Sequence, residues 1–258
     1  MPNAAGLYYF VHEADNVARP PVIFIHGAGG THLNWPPQIR RLAGQRIYAV
    51  DLPGHGKSEG LGRQTIHEYA GDILEFMKEV KLRAAIIVGH SMGGAIALSL
   101  ALDHPGQVLG LGLIGSGAKL SVSPAILNAL SSEATFRSAV HLITENSYGH
   151  GTDPRLKELG EQRMAETRST VLNGDFLASD SFDVLAELHR IQAPTLILCG
   201  AEDRMTPLDR SRALQAGIPV SGLRILSNAG HMLMLERADA VENELMKFLN
   251  GFHYRPGQ

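Results

Sequence analysis

Cysteine is nearly missing from this chain of 258 residues: Cys199 stands alone. A single thiol excludes an intrachain disulfide and a four-cysteine zinc site. There is no surplus of basic charge either, with Lys plus Arg at 23 against 26 Asp plus Glu and a formal net charge of −3. Without that surplus no counterion release favours a polyphosphate, so nucleic acid is not an expected partner. Long hydrophobic runs are also lacking; the longest fall far below the ~18 residues of a membrane span. The start, Met1 to Asn16, has no positive region followed by an apolar block, which predicts no secretory signal and a cytoplasmic location. Internal repeats and low-complexity tracts do not occur. At 44% hydrophobic and 19% charged residues, the composition is that of a globular chain rather than a disordered or coiled one. Its length suits a large α/β core.

What is present is a series of short apolar runs rich in β-branched residues, each ending in a glycine-containing loop. They are Val22–Ile25, Ile47–Val50, Ala85–Val88, Val108–Ile114, Thr195–Leu198 and Leu223–Leu226. Near-continuous apolarity over so few residues predicts strands buried on both faces, as in a parallel sheet between helices. Leu7–Val11 reads as an edge strand that hairpins into Val22 across Arg19, Pro20 and Pro21. Helical periods lie between the strands. In Thr65–Val80 the residues Ile66, Tyr69, Ala70, Ile73, Met77 and Val80 form one stripe, and Thr65 with Glu68 makes a capping box. Gly94–Leu102 and Ala240–Leu249 also read as helices. From Leu120 to Arg190 no strand is evident. Asp153–Pro154 and Asp180–Ser181 mark two helix starts there. Such an insertion is too long for an ordinary connection and reads as a helical cap. The chain therefore divides into a core, 1–119 and 191–258, and a cap, 120–190; the tail after Gly251 is expected to be loose.

Gly89-His90-Ser91-Met92-Gly93 follows one strand and opens a helix, which is the context a nucleophile elbow requires. The sharp turn lifts the Ser91 hydroxyl above the sheet, and neighbouring chain leaves no room for side chains at Gly89 and Gly93. A serine needs a base, and the base an orienting acid. Asp203 follows the strand Thr195–Leu198, and His231 follows Leu223–Leu226. Glu202, one position nearer the strand, competes as the acid. For the oxyanion, the N–H of Met92 and the N–H of Ala28, in the small-residue loop His26–Gly30, are the candidate donors. That loop lacks the glycine spacing of a dinucleotide site and the Gly-Lys-Ser/Thr of a phosphate loop. His67-Glu68 has Gly71 where a metalloprotease needs its second histidine.

Taken together, His26–Gly30, Asp51–Ser58, Gly89–Gly94, Gly200–Pro207 and Gly230–His231 resemble the α/β-hydrolase superfamily, in its capped esterase- and lipase-like branch. The resemblance runs from about Val22 to the C-terminus. It implies an α/β-hydrolase fold: a mostly parallel eight-stranded sheet flanked by helices, with the cap inserted before the strand that carries the catalytic acid. It also implies a Ser91–His231–Asp203 triad, an acyl-enzyme route without metal or organic cofactor, and structural roles for Asp51 and His55.

Relatives with aspartate as nucleophile, the dehalogenases and epoxide hydrolases, are set aside by Ser91. Perhydrolases favour an aromatic residue where Ala28 stands. Carbon–carbon bond hydrolases of diketones usually carry tryptophan where Met232 follows His231. Enol-lactonases and acyl-carrier methyl esterases call for cap arginines; Arg137, Arg155, Arg163 and Arg168 are candidates, but the last three sit among acids as on a solvated helix face. The expectation is a serine esterase for small to medium neutral carboxylic esters, with Trp35, Leu142, Phe176, Met232 and Leu233 lining the acyl site. The alternatives are another acyl substrate, or a non-enzymatic ligand receptor on the same fold. Monomer and homodimer both fit.

Overall fold

The computed structural model describes residues 2–13 and 19–252. Except for Phe252, the tail after Gly251 lies outside the described residues, as does the end of the Met1–Asn16 segment. The strands are β1 (Asn3–Ala4), β2 (Leu7–His12), β3 (Val22–Ile25), β4 (Ile47–Val50), β5 (Ala85–His90), β6 (Val108–Ile114), β7 (Thr195–Gly200) and β8 (Ser221–Leu226). They form one sheet in the order β1-β2-β4-β3-β5-β6-β7-β8. All pairs from β4 to β8 are parallel, and β1 and β2 are antiparallel at one edge. The edge strand corrects one expectation: β2 pairs with β4, Tyr9 against Val50, and not with β3.

Alternate residues of β3 serve the two faces. Ile23 and Ile25 join one apolar cluster, with α2 (Ile66–Glu79) and α3 (Met92–Asp103) over it. Val22 and Phe24 join the other, covered by α1 (Pro37–Arg40) and α10 (Ala238–Leu249). Both-face burial explains the unbroken apolar runs. At the far edge β8 is only half covered, and Arg224 and Ile225 are exposed. Helix α2 has one half of the predicted capping box: Thr65 Oγ1 accepts from Glu68 N–H at 3.2 Å, but the Glu68 carboxylate accepts from the Thr65 hydroxyl and from Gln64 N–H in place of Thr65 N–H.

Between β6 and β7 the chain forms α4 (Pro124–Leu130), α5 (Phe136–Ser147), α6 (Pro154–Ala165) and α7 (Ser169–Asp180). These helices share a separate apolar cluster that includes Ile126, Val140, Leu172 and Phe176. Asp153 caps α6 through Arg155 N–H. Asp180–Ser181 does not start a helix; it ends α7, and Leu185–Arg190 is a short 3-10 segment. After β7 come α8 (Leu208–Gly217), then α9 (Leu233–Glu236) behind β8. Among the described residues no helix is long and apolar enough to cross a membrane.

Strand order reverses direction between β3 and β5, since β3 leads outward to β4 while β5 leads the other way to β6. Open α/β sheets bind ligands at that switch, beyond the carboxyl ends of the strands. The loops leaving β3 and β5 there carry Gly27–Ala28 and Ser91.

Candidate active site

Ser91 is the turn between β5 and α3, with φ +53° and ψ −118°. A side chain in this region costs roughly 1–3 kcal/mol and persists only where packing fixes it. The packing is visible. A Cβ on Gly89 would stand 2.1 Å from Gly93 O, and one on Gly93 would stand 2.3 Å from Ile25 O. The Ser91 N–H donates to Ile114 O at 2.9 Å, and Ser116 Oγ donates to Ser91 O at 2.8 Å.

His231 Nδ1 lies 2.9 Å from Asp203 Oδ2, and both side chains are buried. Asp203 Oδ1 accepts from Met205 N–H at 2.9 Å and from Thr206 N–H at 2.8 Å, and Oδ2 accepts from the Thr206 hydroxyl at 2.8 Å. Burial alone raises this carboxyl, but His231 and the Thr206 donors hold it below the usual range. Glu202 turns away and accepts from His150 N–H at 2.7 Å, with His150 Nδ1 at 2.9 Å. The structure thus brings together Asp203 and His231, and leaves Glu202 outside.

Met92 is the first residue of α3, so its N–H has no partner within the helix and points from the positive end of the dipole. Among the described residues neither Met92 N–H nor Ala28 N–H has a protein acceptor. The Gly27–Ala28 peptide is held by its carbonyl, which accepts from His26 Nδ1 at 2.7 Å and Gly30 N–H at 3.0 Å. On the other side of the ring, His26 Nε2 accepts from Leu52 N–H at 3.0 Å. Burial and the nearby His55 ring push the His26 imidazole down to about 4, so it holds one neutral tautomer.

Ser91, His231 and Ala28 open onto one cavity of about 390 Å³. Leu142, Phe176 and Met232 line it as expected, together with Leu120, Ile126 and Met205. Trp35 and Leu233 do not, and their assignment is corrected. Trp35 is fully buried against Phe24, ring centroids 4.8 Å apart, because the Thr31-capped turn His32–Asn34 sends the chain under the sheet edge and leaves Asn34 at the cavity. Leu233 opens α9 and points into the same core.

Of the arginines considered for an anionic substrate, none lines this cavity; Arg163 lines a smaller neighbour, and Arg168 donates to Gly60 O. Arg204 and Arg210 line it instead, from the loop after β7 and from α8. The sequence placed Arg204 beside Asp203, a signal that was available. His90 was also missed: it lines the cavity, donates through Nε2 to His231 O at 3.0 Å, and is pushed down to about 3 by burial and by His231. Glu236 joins the His231 loop to the helical segment, accepting from Gly230 N–H at 2.9 Å and Gly149 N–H at 2.7 Å. Asp51 accepts from His32 N–H and Lys57 N–H, and fixes the turn below the cavity. No grouping of three or more His, Cys, Asp and Glu that could hold a metal occurs among the described residues.

The sheet order, its switch point and the strained strand-to-helix serine are those of an α/β hydrolase. The chain belongs to the alpha/beta hydrolase family, whose sequence model matches residues 22–244. It is 30% identical to the 2-hydroxy-6-oxo-6-phenylhexa-2,4-dienoate hydrolase of Burkholderia cepacia, over 96% of this chain and 94% of that protein. It is also 30% identical to the dihydrolipoyllysine-residue acetyltransferase component of the acetoin cleaving system of Cupriavidus necator, over 89% of this chain; the match spans only 63% of that longer protein. Among solved structures, that of a thermophilic esterase superposes with a TM-score of 0.80 at 32% identity, covering 95% of this chain and 98% of the other.

Proposed function

We propose that this hydrolase cleaves small to medium neutral carboxylic esters through an acyl-enzyme on Ser91. The observation that carries the reading is that Ser91 and His231 share one largely apolar cavity while Asp203 holds His231 from behind. Ser91 Oγ attacks the ester carbonyl as His231 Nε2 takes its proton. The oxyanion lies against the amides of Ala28 and Met92, dipoles already aimed where charge develops. His231 then gives the proton to the departing alkoxide, and the alcohol leaves. Water repeats the attack with His231 as base, releasing the acid and Ser91. No metal or organic cofactor enters this route.

An organophosphonate is expected to add one equivalent to the peptide carrying Ser91 and to stop p-nitrophenyl ester turnover. Labelling elsewhere with turnover intact would refute the reading. The cavity volume is in the range of small-molecule sites, and the residues that line it set chain length. Leu142→Ala and Phe176→Leu are expected to shift the kcat/KM preference from acetate toward longer acyl chains by roughly 10–200-fold, the worth of a methylene-sized pocket change. Preferences that stay flat from acetate to decanoate would make both residues packing alone.

A second reading is carbon–carbon bond hydrolysis of an anionic diketone. The Burkholderia cepacia relative supports it, as do Arg204 and Arg210 at the cavity. Against it stands the apolar majority of the lining. A vinylogous diketone acid turned over faster than p-nitrophenyl butyrate, with that rate lost in Arg210→Glu, would select the second reading.

A further inference from the structure

We propose that Asp175, on α7, is a positioning residue for the oxyanion loop: it holds the Ala28–Gly29 peptide so that Ala28 N–H faces Ser91. The inference rests on the reading of Ala28 as an oxyanion donor. Asp175 is fully buried, and its carboxylate gathers donors from three separate parts of the core. Oδ2 accepts from Gly29 N–H at 2.9 Å and from His55 Nε2 at 2.7 Å; Oδ1 accepts from the Tyr69 hydroxyl at 2.5 Å.

The position of Gly29 gives this cluster its meaning. Gly29 directly follows Ala28 and has φ +62°, and a Cβ there would stand 2.6 Å from Leu172 Cδ1, a side chain of the same helix α7. The three successive peptides of the loop are each held from outside themselves. The Gly27 carbonyl is held by His26, the Gly29 N–H by Asp175, and the Gly29 carbonyl by the Thr167 hydroxyl at 3.2 Å. Two of these three holds come from the helical segment between β6 and β7. A loop of small residues has little side-chain packing to fix its peptide planes, so these hydrogen bonds fix them.

The energetics favour a specific role over generic packing. A buried carboxylate is costly to desolvate, and an apolar side chain of similar size would often stabilise a core better. Here the cost is offset by charge-assisted hydrogen bonds. Burial lowers the affinity of His55 for a proton, but Asp175 more than reverses this and leaves the imidazole above its ordinary value, favouring the charged partner. Losing the carboxylate would leave Gly29 N–H buried without an acceptor. The Ala28–Gly29 peptide is then free to flip, which swings the Ala28 carbonyl and, through Ala28, twists the preceding Gly27–Ala28 peptide that carries the oxyanion donor.

The test compares Asp175→Leu, which keeps the shape and removes both acceptors, with Tyr69→Phe on p-nitrophenyl butyrate. Tyr69→Phe removes a bond to the same carboxylate and leaves the Gly29 bond intact. Asp175→Leu is expected to lower kcat by about 100-fold with KM nearly unchanged, and to weaken inhibition by a trifluoromethyl ketone, whose Ser91 adduct bears an oxyanion, by a similar factor. Tyr69→Phe is expected to hold kcat within about threefold. Thr167→Val, at the half-exposed side of the loop, is expected to lower kcat by roughly tenfold, again without a change in KM. Equal kcat losses in Asp175→Leu and Tyr69→Phe would overturn the proposal, since they would mark a general structural effect. So would wild-type kcat in Asp175→Leu or, should that variant fail to fold, in Thr167→Val. Phosphonate labelling of Ser91 separates the two levels: an enzyme that labels normally while Asp175→Leu is fully active refutes only the positioning role. A wild-type enzyme that never labels refutes the acyl-enzyme reading itself.

Discussion

Asp203→Asn is expected to lower kcat by about 10⁴-fold, whereas Glu202→Gln is expected to stay within about threefold of wild type. The hydrogen bonds around Asp203 dictate the size of the first effect. Oδ1 accepts from two backbone N–H groups, those of Met205 and Thr206. An asparagine must keep its oxygen there, so its NH₂ falls at the Oδ2 position, against His231 Nδ1. That donor favours the imidazole with its proton on Nε2, the tautomer that cannot accept from Ser91. Substrate binding and the proposed oxyanion donors, the Ala28 and Met92 amides, are left in place, and on that reading they sustain the residual rate. Glu202 touches His150 and not His231, so its amide changes only a contact at the surface. Steady-state kinetics on p-nitrophenyl butyrate decide it, and the reverse ranking would move the acid to Glu202.

The choice between Asp203 and Glu202 shows how far sequence carries the argument. Position relative to strands was legible, because a doubly wound sheet sends every β-to-α loop to the same edge. Hence Ala28, Ser91, Asp203 and His231 could all be placed at that edge from apolar runs and glycines. Side-chain direction within a loop was less so. Trp35 and Leu233 stand next in sequence to the cavity residues Asn34 and Met232, and one further step turned both into the core. Asp180–Ser181 has the composition of a helix start, yet it closes α7, since the apolar spacing of Phe182, Leu185 and Leu188 is met by an irregular stretch and a 3-10 segment. The pairing of β2 with β4 depends on which edge is left open, a tertiary matter that Pro20 and Pro21 do not encode. Asp175 had no local signature at all: its partners His55 and Tyr69 are 120 and 106 positions away.

Acidification from pH 8 to pH 5 is expected to cost this fold several kcal/mol, and the titrating groups lie around the candidate active site. His26 and His90 are buried and held near 4 and 3, against an ordinary 6.5 in the unfolded chain. Below pH 6.5 the unfolded chain binds protons that the folded one refuses, so stability falls as pH falls. Each of the two groups accounts for about 2 kcal/mol by pH 5, roughly thirtyfold in the folding constant. His55 works the other way. Raised by Asp175, it contributes stability that is fully present below its unfolded value and is lost as pH rises through its folded value, so it offsets part of the acid loss. Asp51 and Asp203, both held low, add to the loss only when pH falls further, through the carboxylate range. Urea unfolding at pH 8, 6.5 and 5 measures the net slope, and His90→Gln isolates one contribution. The variant is expected to flatten the difference between pH 8 and pH 5 by about 2 kcal/mol whatever its stability at pH 8. An unchanged difference would mean that His90 is protonated in the folded state, with its Nδ1 finding an acceptor beside Gly27.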